Sequence, residues 1–177
     1  MKTHKAQKIS IYTQQIKYPF IGIFIFFLFS STAFSQQSTE LTAHINELQF
    51  SKSIVEQNDG NTLKSLYFDL HPMISLSEIG NSKYGSGTPI RLHVDMSIAD
   101  AIYMKQPDYN DIEMLVITVS NNQNYNQLDM SKLDYMEKLK HIVFQFEFAI
   151  PVFDKNKYVK NYSASQVSIL YYESIPE

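Results

Sequence analysis

The residues best suited to chemistry are a histidine and an aspartate two positions apart. His93 and Asp95 lie in residues 90–96, where alternating apolar side chains predict a β-strand, so both would project from one face of a sheet. A carboxylate beside an imidazole can orient the ring for general-base catalysis, and further ligands would make the pair a zinc site. The pair is therefore the candidate for catalysis, as in a small hydrolase.

The remaining signatures of catalysis are missing from the sequence. With no cysteine, the chain has no disulfides, thiolate nucleophiles or thiolate-ligated metal centres. It also lacks the G-x-S-x-G nucleophile elbow, the H-E-x-x-H zinc motif and the glycine-rich loops that bind nucleotide phosphates. We therefore predict no cofactor and no metal. We favour a non-catalytic protein, with a small envelope hydrolase as the alternative.

The first 35 residues have the pattern of an export signal. They contain four lysines and no acidic residue, and they include an uncharged apolar run at residues 20–29. Ala33 and Ser35 are the small residues that signal peptidase requires, which predicts cleavage between Ser35 and Gln36. The ten residues of the run are too few for a bilayer core, which needs about 20. We expect residues 36–177 to be one exported domain, periplasmic or extracellular, without stable membrane insertion.

Removal of this segment makes the chain more acidic. All 18 acidic residues but only 11 of the 15 basic residues lie in residues 36–177, which gives a net charge of −7. A field of that sign repels the phosphates of nucleic acids. We therefore expect no nucleic acid among the partners, and predict an unknown protein or small ligand of the cell envelope instead.

An apolar pattern of the form L-x-x-L-x-L recurs along the domain. Measured between its second apolar positions, the steps are 24, 25, 27 and 27 residues. Each unit would contribute one short strand whose alternate residues enter a common core. The second positions of the five units are Leu66, Ile90, Leu115, Ile142 and Ile169.

Over about residues 63–172 the chain thus resembles a short, irregular leucine-rich-repeat array. The resemblance implies an α/β fold with a parallel sheet whose strands follow chain order; the alternative is a compact α+β domain. The signal segment and a composition rich in Lys, Asn and Ile but with a single arginine are similar to those of exported proteins of the Bacteroidetes group.

Three further segments have recognisable local patterns. Residues 40–48 have an apolar face at helical spacing, which predicts an N-terminal helix capped by Ser38 or Thr39. Residues 58–61, Asn-Asp-Gly-Asn, predict a turn. Residues 128–139 predict a helical return, with Leu133 among its inward-facing residues.

The repeat alignment places the residues between the buried positions in two rows across the sheet. Val116, Val143 and Leu170 would form an apolar stripe, which we expect the N-terminal helix to cover. In this alignment Asp69 lies beside His93 and completes an Asp–His–Asp cluster for the hydrolase alternative. The residues left for a partner are Tyr67, Asp69, Arg91, His93, Gln145 and Tyr172.

Overall fold

The computed structural model describes residues 39–121, 124–163 and 167–175. The chain divides into two units, Met1–Gln37 and Ser38–Glu177, and the second is described here. The predicted signal segment and its cleavage site at Ser35 and Gln36 lie outside the described residues. Within the described part, no helix has both the length and the apolar character needed to cross a bilayer.

A seven-stranded, mostly parallel sheet forms the centre of the domain. Five of its strands, β2, β4, β5, β7 and β9, are parallel neighbours in chain order. The antiparallel strand β3 closes one edge, and the short β1 pairs with β9 at the other. The predicted α/β class and parallel sheet are therefore confirmed. The sheet strands are β1 (Thr39–Glu40), β2 (Met73–Ser77), β3 (Gly80–Tyr84), β4 (Arg91–Asp95), β5 (Met114–Val119), β7 (His141–Phe146) and β9 (Ser168–Glu173).

Two helices, α1 (Leu41–Gln49) and α2 (Ile54–Phe68), cover one face of the sheet. The predicted N-terminal helix is α1, but its cap is Glu40 rather than Ser38 or Thr39. The Glu40 carboxylate accepts hydrogen bonds from the backbone amides of Thr42 and Ala43 at 2.9 and 2.6 Å, which suits the positive end of the helix dipole.

Beneath the helices lies the apolar stripe that the sequence predicts. Val116, Val143 and Leu170 are buried against Leu41 and Ile45 of α1, so the predicted cover is confirmed. The helix α2 packs on the same face of the sheet, which the sequence pattern did not predict. Its contributions to this smaller core are Leu63 and Leu66.

The return segments pack on the other face and enclose the larger core. They contain short 3₁₀ helices and a second parallel pair, β6 (Leu128–Asp129) with β8 (Val159–Lys160). Leu133 is buried as predicted, but residues 128–139 are not an α-helix. Consecutive i→i+3 hydrogen bonds run from Met130 through Leu133 and Met136 to Leu139, with N···O distances of 2.8–3.0 Å.

Two predictions for residues 58–70 are wrong. Residues 63–70 were expected to form a strand, yet Leu63 and Leu66 lie three apart on the buried face of α2. The turn expected at residues 58–61 is inside the same helix. Gly60 serves close packing there, because a Cβ atom at this position would lie 2.8 Å from the Cβ of Leu48 on α1.

The strand register corrects the repeat alignment in its second unit. Leu92, not Ile90, pairs with Leu115, and the series continues to Ile142 and Ile169 as expected. Arg91 therefore lies beside Met114 rather than in the row of the apolar stripe. The neighbour of β4 on its other side is β2, which the sequence pattern missed.

Candidate functional site

Tyr67, Gln145 and Tyr172 meet where the last turn of α2 crosses the sheet. The Tyr67 hydroxyl donates a hydrogen bond to Oε1 of Gln145 at 3.1 Å. Gln145 and Tyr172 are register partners on β7 and β9. Three of the six predicted binding residues thus come together, although Tyr67 reaches the site from a helix and not from a strand.

Three aromatic rings form the wall of this site. The ring of Tyr67 contacts those of Phe68 and Tyr172 edge to face, with centroids 4.9 and 5.4 Å apart, and the Phe68 and Tyr172 centroids are 6.1 Å apart. Phe68 is 49% exposed and Leu70, just beyond the helix, is fully exposed at 100%. We call Tyr67, Phe68, Leu70, Gln145 and Tyr172 together the α2-end surface.

Burial holds the Tyr67 hydroxyl in its protonated form. Loss of solvent and the neighbouring Tyr172 raise the pKa of Tyr67, an effect that the charge of Arg91 only partly opposes. The phenol therefore stays a hydrogen-bond donor at any physiological pH, and its bond to Gln145 is a fixed feature of the site.

Arg91 supports the surface from behind rather than facing a partner. The side chain is buried, and its Nη1 donates to the backbone carbonyls of Leu66 and Tyr67 at 3.1 and 2.7 Å. These carbonyls belong to the end of α2, where a cation offsets the negative end of the helix dipole. Burial lowers the pKa of Arg91. We assign Arg91 a structural role.

His93 does not have the surroundings of a general base. Burial and the nearby charge of Arg91 lower the pKa of His93 to about 4, so the ring is neutral at pH 7. Its Nε2 is buried with no hydrogen-bond partner among the described residues. The imidazole is therefore desolvated, and no described carboxylate orients it through a hydrogen bond.

Of the two acidic residues expected beside His93, Asp69 does not lie on the sheet and Asp95 bonds to other residues. Asp69 is the exposed C-cap residue of α2, so it does not lie on a strand beside His93. Asp95 accepts hydrogen bonds from the backbone amide and hydroxyl of Ser97 at 2.8 and 2.6 Å and from the Ser120 hydroxyl at 3.2 Å. The predicted Asp–His–Asp cluster is wrong.

A serine–histidine contact at the amino ends of β7 and β9 escaped the sequence reasoning. The Nδ1 atom of His141 lies 2.7 Å from the Ser168 hydroxyl, and the two residues are register partners. Burial, followed by the charges of Lys140 and His44, lowers the pKa of His141 to about 4. A base that weak does not activate a hydroxyl at neutral pH. The repeat alignment already pairs Ile142 with Ile169 and therefore His141 with Ser168, and it was the signal that could have found this pair.

The described residues contain no cluster of metal ligands, and the comparisons with known proteins give no match. In residues 39–121, 124–163 and 167–175, no three His, Asp or Glu side chains converge as metal ligands do. No protein-family model, no curated protein and no solved structure matches the chain.

Proposed function

We propose that this protein is an exported, non-catalytic binding domain of the cell envelope that holds its partner on the α2-end surface. The observation that carries the proposal is the exposure of Phe68 and Leu70 beside the packed rings of Tyr67 and Tyr172. Exposed apolar side chains next to a rigid aromatic group are typical of interaction surfaces.

The α2-end surface combines the two components of a recognition site. Phe68 and Leu70 supply apolar area, and burying such a side chain contributes roughly 1.5–3 kcal/mol. Gln145 has a side-chain amide that accepts one bond from Tyr67 and has donors left for a partner. The rings of Tyr67 and Tyr172 are already packed, so little side-chain entropy is lost when a partner binds.

We further propose that the fold is a short, leucine-rich-repeat-like solenoid. Support comes from five parallel strands in chain order and from the 27-residue step that separates Leu115 from Ile142 and Ile142 from Ile169. The β6–β8 pair adds a second ladder between successive return segments. Here α1 and α2 cover the sheet face, which leaves the end of α2 as the contact surface.

Export is the part of the proposal that rests on sequence alone. The basic start, the apolar run at residues 20–29 and the Ala33/Ser35 pair have the order of a cleaved signal. Such a protein would meet its partner in the periplasm or outside the cell. The net charge of −7 on residues 36–177 disfavours nucleic acids there.

Site-specific photo-crosslinking tests the proposed surface in cells. A benzophenone amino acid would replace Leu70, and in a matched control it would replace Val152, an exposed aliphatic residue on a return segment. We expect one discrete adduct at Leu70 that a second change, Phe68→Ala, removes. The same adducts at both positions, or none at Leu70, would contradict the proposed surface.

A further inference from the structure

The outer edge of β3 is a strand edge that has no partner among the described residues. β3 is five residues long, every one of them is exposed, and its described neighbour is β2 alone. An edge of this kind presents a row of backbone donors and acceptors that another strand can bind. Proteins usually protect such edges from pairing with other chains, so a poorly protected edge indicates a site where another strand can bind.

The features that normally protect an edge are weak in β3. The strand contains no proline, and its one charge, Lys83, forms an ion pair with Asp108 at 2.7 Å. Asn81, on the same face, donates to the Gln106 side chain at 2.8 Å. Both polar side chains are thus directed to the return segments, which leaves the backbone edge open.

We infer that a second copy of this chain pairs with β3 in antiparallel orientation about a two-fold axis at Ser82. In this register the strand is complementary to itself. Asn81 lies opposite Lys83 of the second copy, so the two lysines do not face each other. Tyr84 lies opposite Gly80 of the second copy, which has no side chain to obstruct the ring.

The apolar residues at the two ends of β3 support the same register. Ile79, in the turn before the strand, is 99% exposed, and Tyr84 at the far end is half-exposed. Antiparallel pairing in this register places Ile79 of each copy opposite Gly85 of the other, just as it places Tyr84 opposite Gly80. Each exposed apolar side chain thus faces a glycine of the second strand, whose backbone can cover part of its apolar area.

The dimer is weak because the paired strands are short. Five residues a side bury less than about 1,000 Å², which is typical of transient contacts. We expect a dissociation constant in the micromolar range, so the proportions of monomer and dimer change with protein concentration. The arrangement joins the two seven-stranded sheets into one continuous sheet.

Because the chain lacks cysteine, single cysteine variants report the contact directly. Residues opposite each other in antiparallel strands have Cα atoms about 4.5–5.5 Å apart, within disulfide range. We expect Ser82→Cys to form a disulfide-linked dimer at least tenfold faster than Asn58→Cys, an exposed control on α2. Equal rates for the two variants would overturn the inference.

Sedimentation equilibrium tests the same contact without a crosslink. The cysteine-free chain should pass from monomer to dimer between about 1 µM and 1 mM. Ile79→Asp, at a fully exposed position, should weaken the dimer at least tenfold without affecting the fold, because it replaces an apolar side chain that the pairing covers with a charge. A chain that stays monomeric up to 1 mM, or a dimer that Ile79→Asp leaves unchanged, would contradict the pairing.

Discussion

The Tyr67 hydroxyl and the Gln145 side chain, 78 positions apart in the chain, share a hydrogen bond of 3.1 Å. The bond ties the last turn of α2 to the centre of the sheet. It fixes the position of the α2-end surface relative to β7, and the aromatic contact between Tyr67 and Tyr172 extends that connection to β9. Four of the five residues of the surface therefore lie on two strands and a helix, which are more rigid supports than a loop.

A double-mutant cycle should detect this bond. We expect Tyr67→Phe to lower the free energy of unfolding by about 0.5–1.5 kcal/mol, because the hydroxyl is removed and Gln145 stays half-buried. Gln145→Leu should destabilise the Tyr67→Phe variant less than it destabilises the unaltered chain. The difference is the coupling energy between the two side chains, and we expect it to be of similar size. Urea unfolding measures the free energy of unfolding of the unaltered chain, the two single variants and the double variant. Strictly additive effects would show that the two side chains do not interact.

Substitution of Gly60 should destabilise the helix pair. An alanine Cβ would lie 2.8 Å from the Leu48 Cβ, and overpacking of this kind costs about 1–3 kcal/mol. Helix propensity alone would give the opposite sign, with a gain of about 1 kcal/mol. We expect Gly60→Ala to lower the thermal midpoint, whereas the exposed control Asn58→Ala raises it slightly. A more stable Gly60→Ala would mean that α1 and α2 are not in close contact.

The two half-buried histidines, His93 and His141, should make stability fall with acid. His93 and His141 have pKa values lowered to about 4 in the fold, against about 6.5 in the unfolded chain. Between these values the unfolded state binds protons that the folded state does not, so stability is complete above about pH 6.5 and is lost as the pH falls toward 4.

The size of this loss is measurable by urea unfolding. From pH 7.5 to pH 5 we expect each of the two residues to cost on the order of 2 kcal/mol. His93→Gln and His141→Gln should each flatten the pH profile, because glutamine does not titrate. Asn58→Ala, an exposed change that involves no titratable group, should leave the profile in this range unchanged. If the pH profile is the same in both histidine variants as in the unaltered chain, His93 and His141 are not the cause of the loss of stability in acid.

The successful sequence predictions concern patterns that only one structure explains. The i, i+4, i+7 spacing of Leu41, Ile45 and Leu48 fits a helical face but not a strand, and the apolar stripe of Val116, Val143 and Leu170 requires a cover. Both follow from the need to bury apolar area, which acts in the same way in any fold.

The wrong predictions concern patterns that fit two structures. The spacing of Leu63 and Leu66 suits a helix as well as a repeat unit, and tertiary packing decided for the helix. Gly60 is common in turns, but here the absence of a side chain permits close helix packing. An error of two residues in the register of β4 then moved Arg91 into the wrong row. Such choices depend on partners distant in sequence, which the local pattern does not contain.

The start of the exported protein can be determined by N-terminal sequencing. We expect the protein from the cell envelope to begin at Gln36, because Ala33 and Ser35 are small enough for the peptidase subsites. Ala33→Lys should block the cleavage and retain the precursor, whereas the control Thr32→Lys should not. Retention of Met1 in the exported protein would contradict a cleaved signal.

The most direct test of the proposed function is the affinity of the chain for the protein crosslinked at Leu70. Titration calorimetry would compare the unaltered chain with Leu70→Ser, Phe68→Ala and the control Val152→Ser. We predict at least a tenfold loss of affinity for the first two variants, since each removes about 1.5–3 kcal/mol of apolar burial, and no change for the control. Equal affinities for all four proteins would contradict the assignment of the α2-end surface as the binding site.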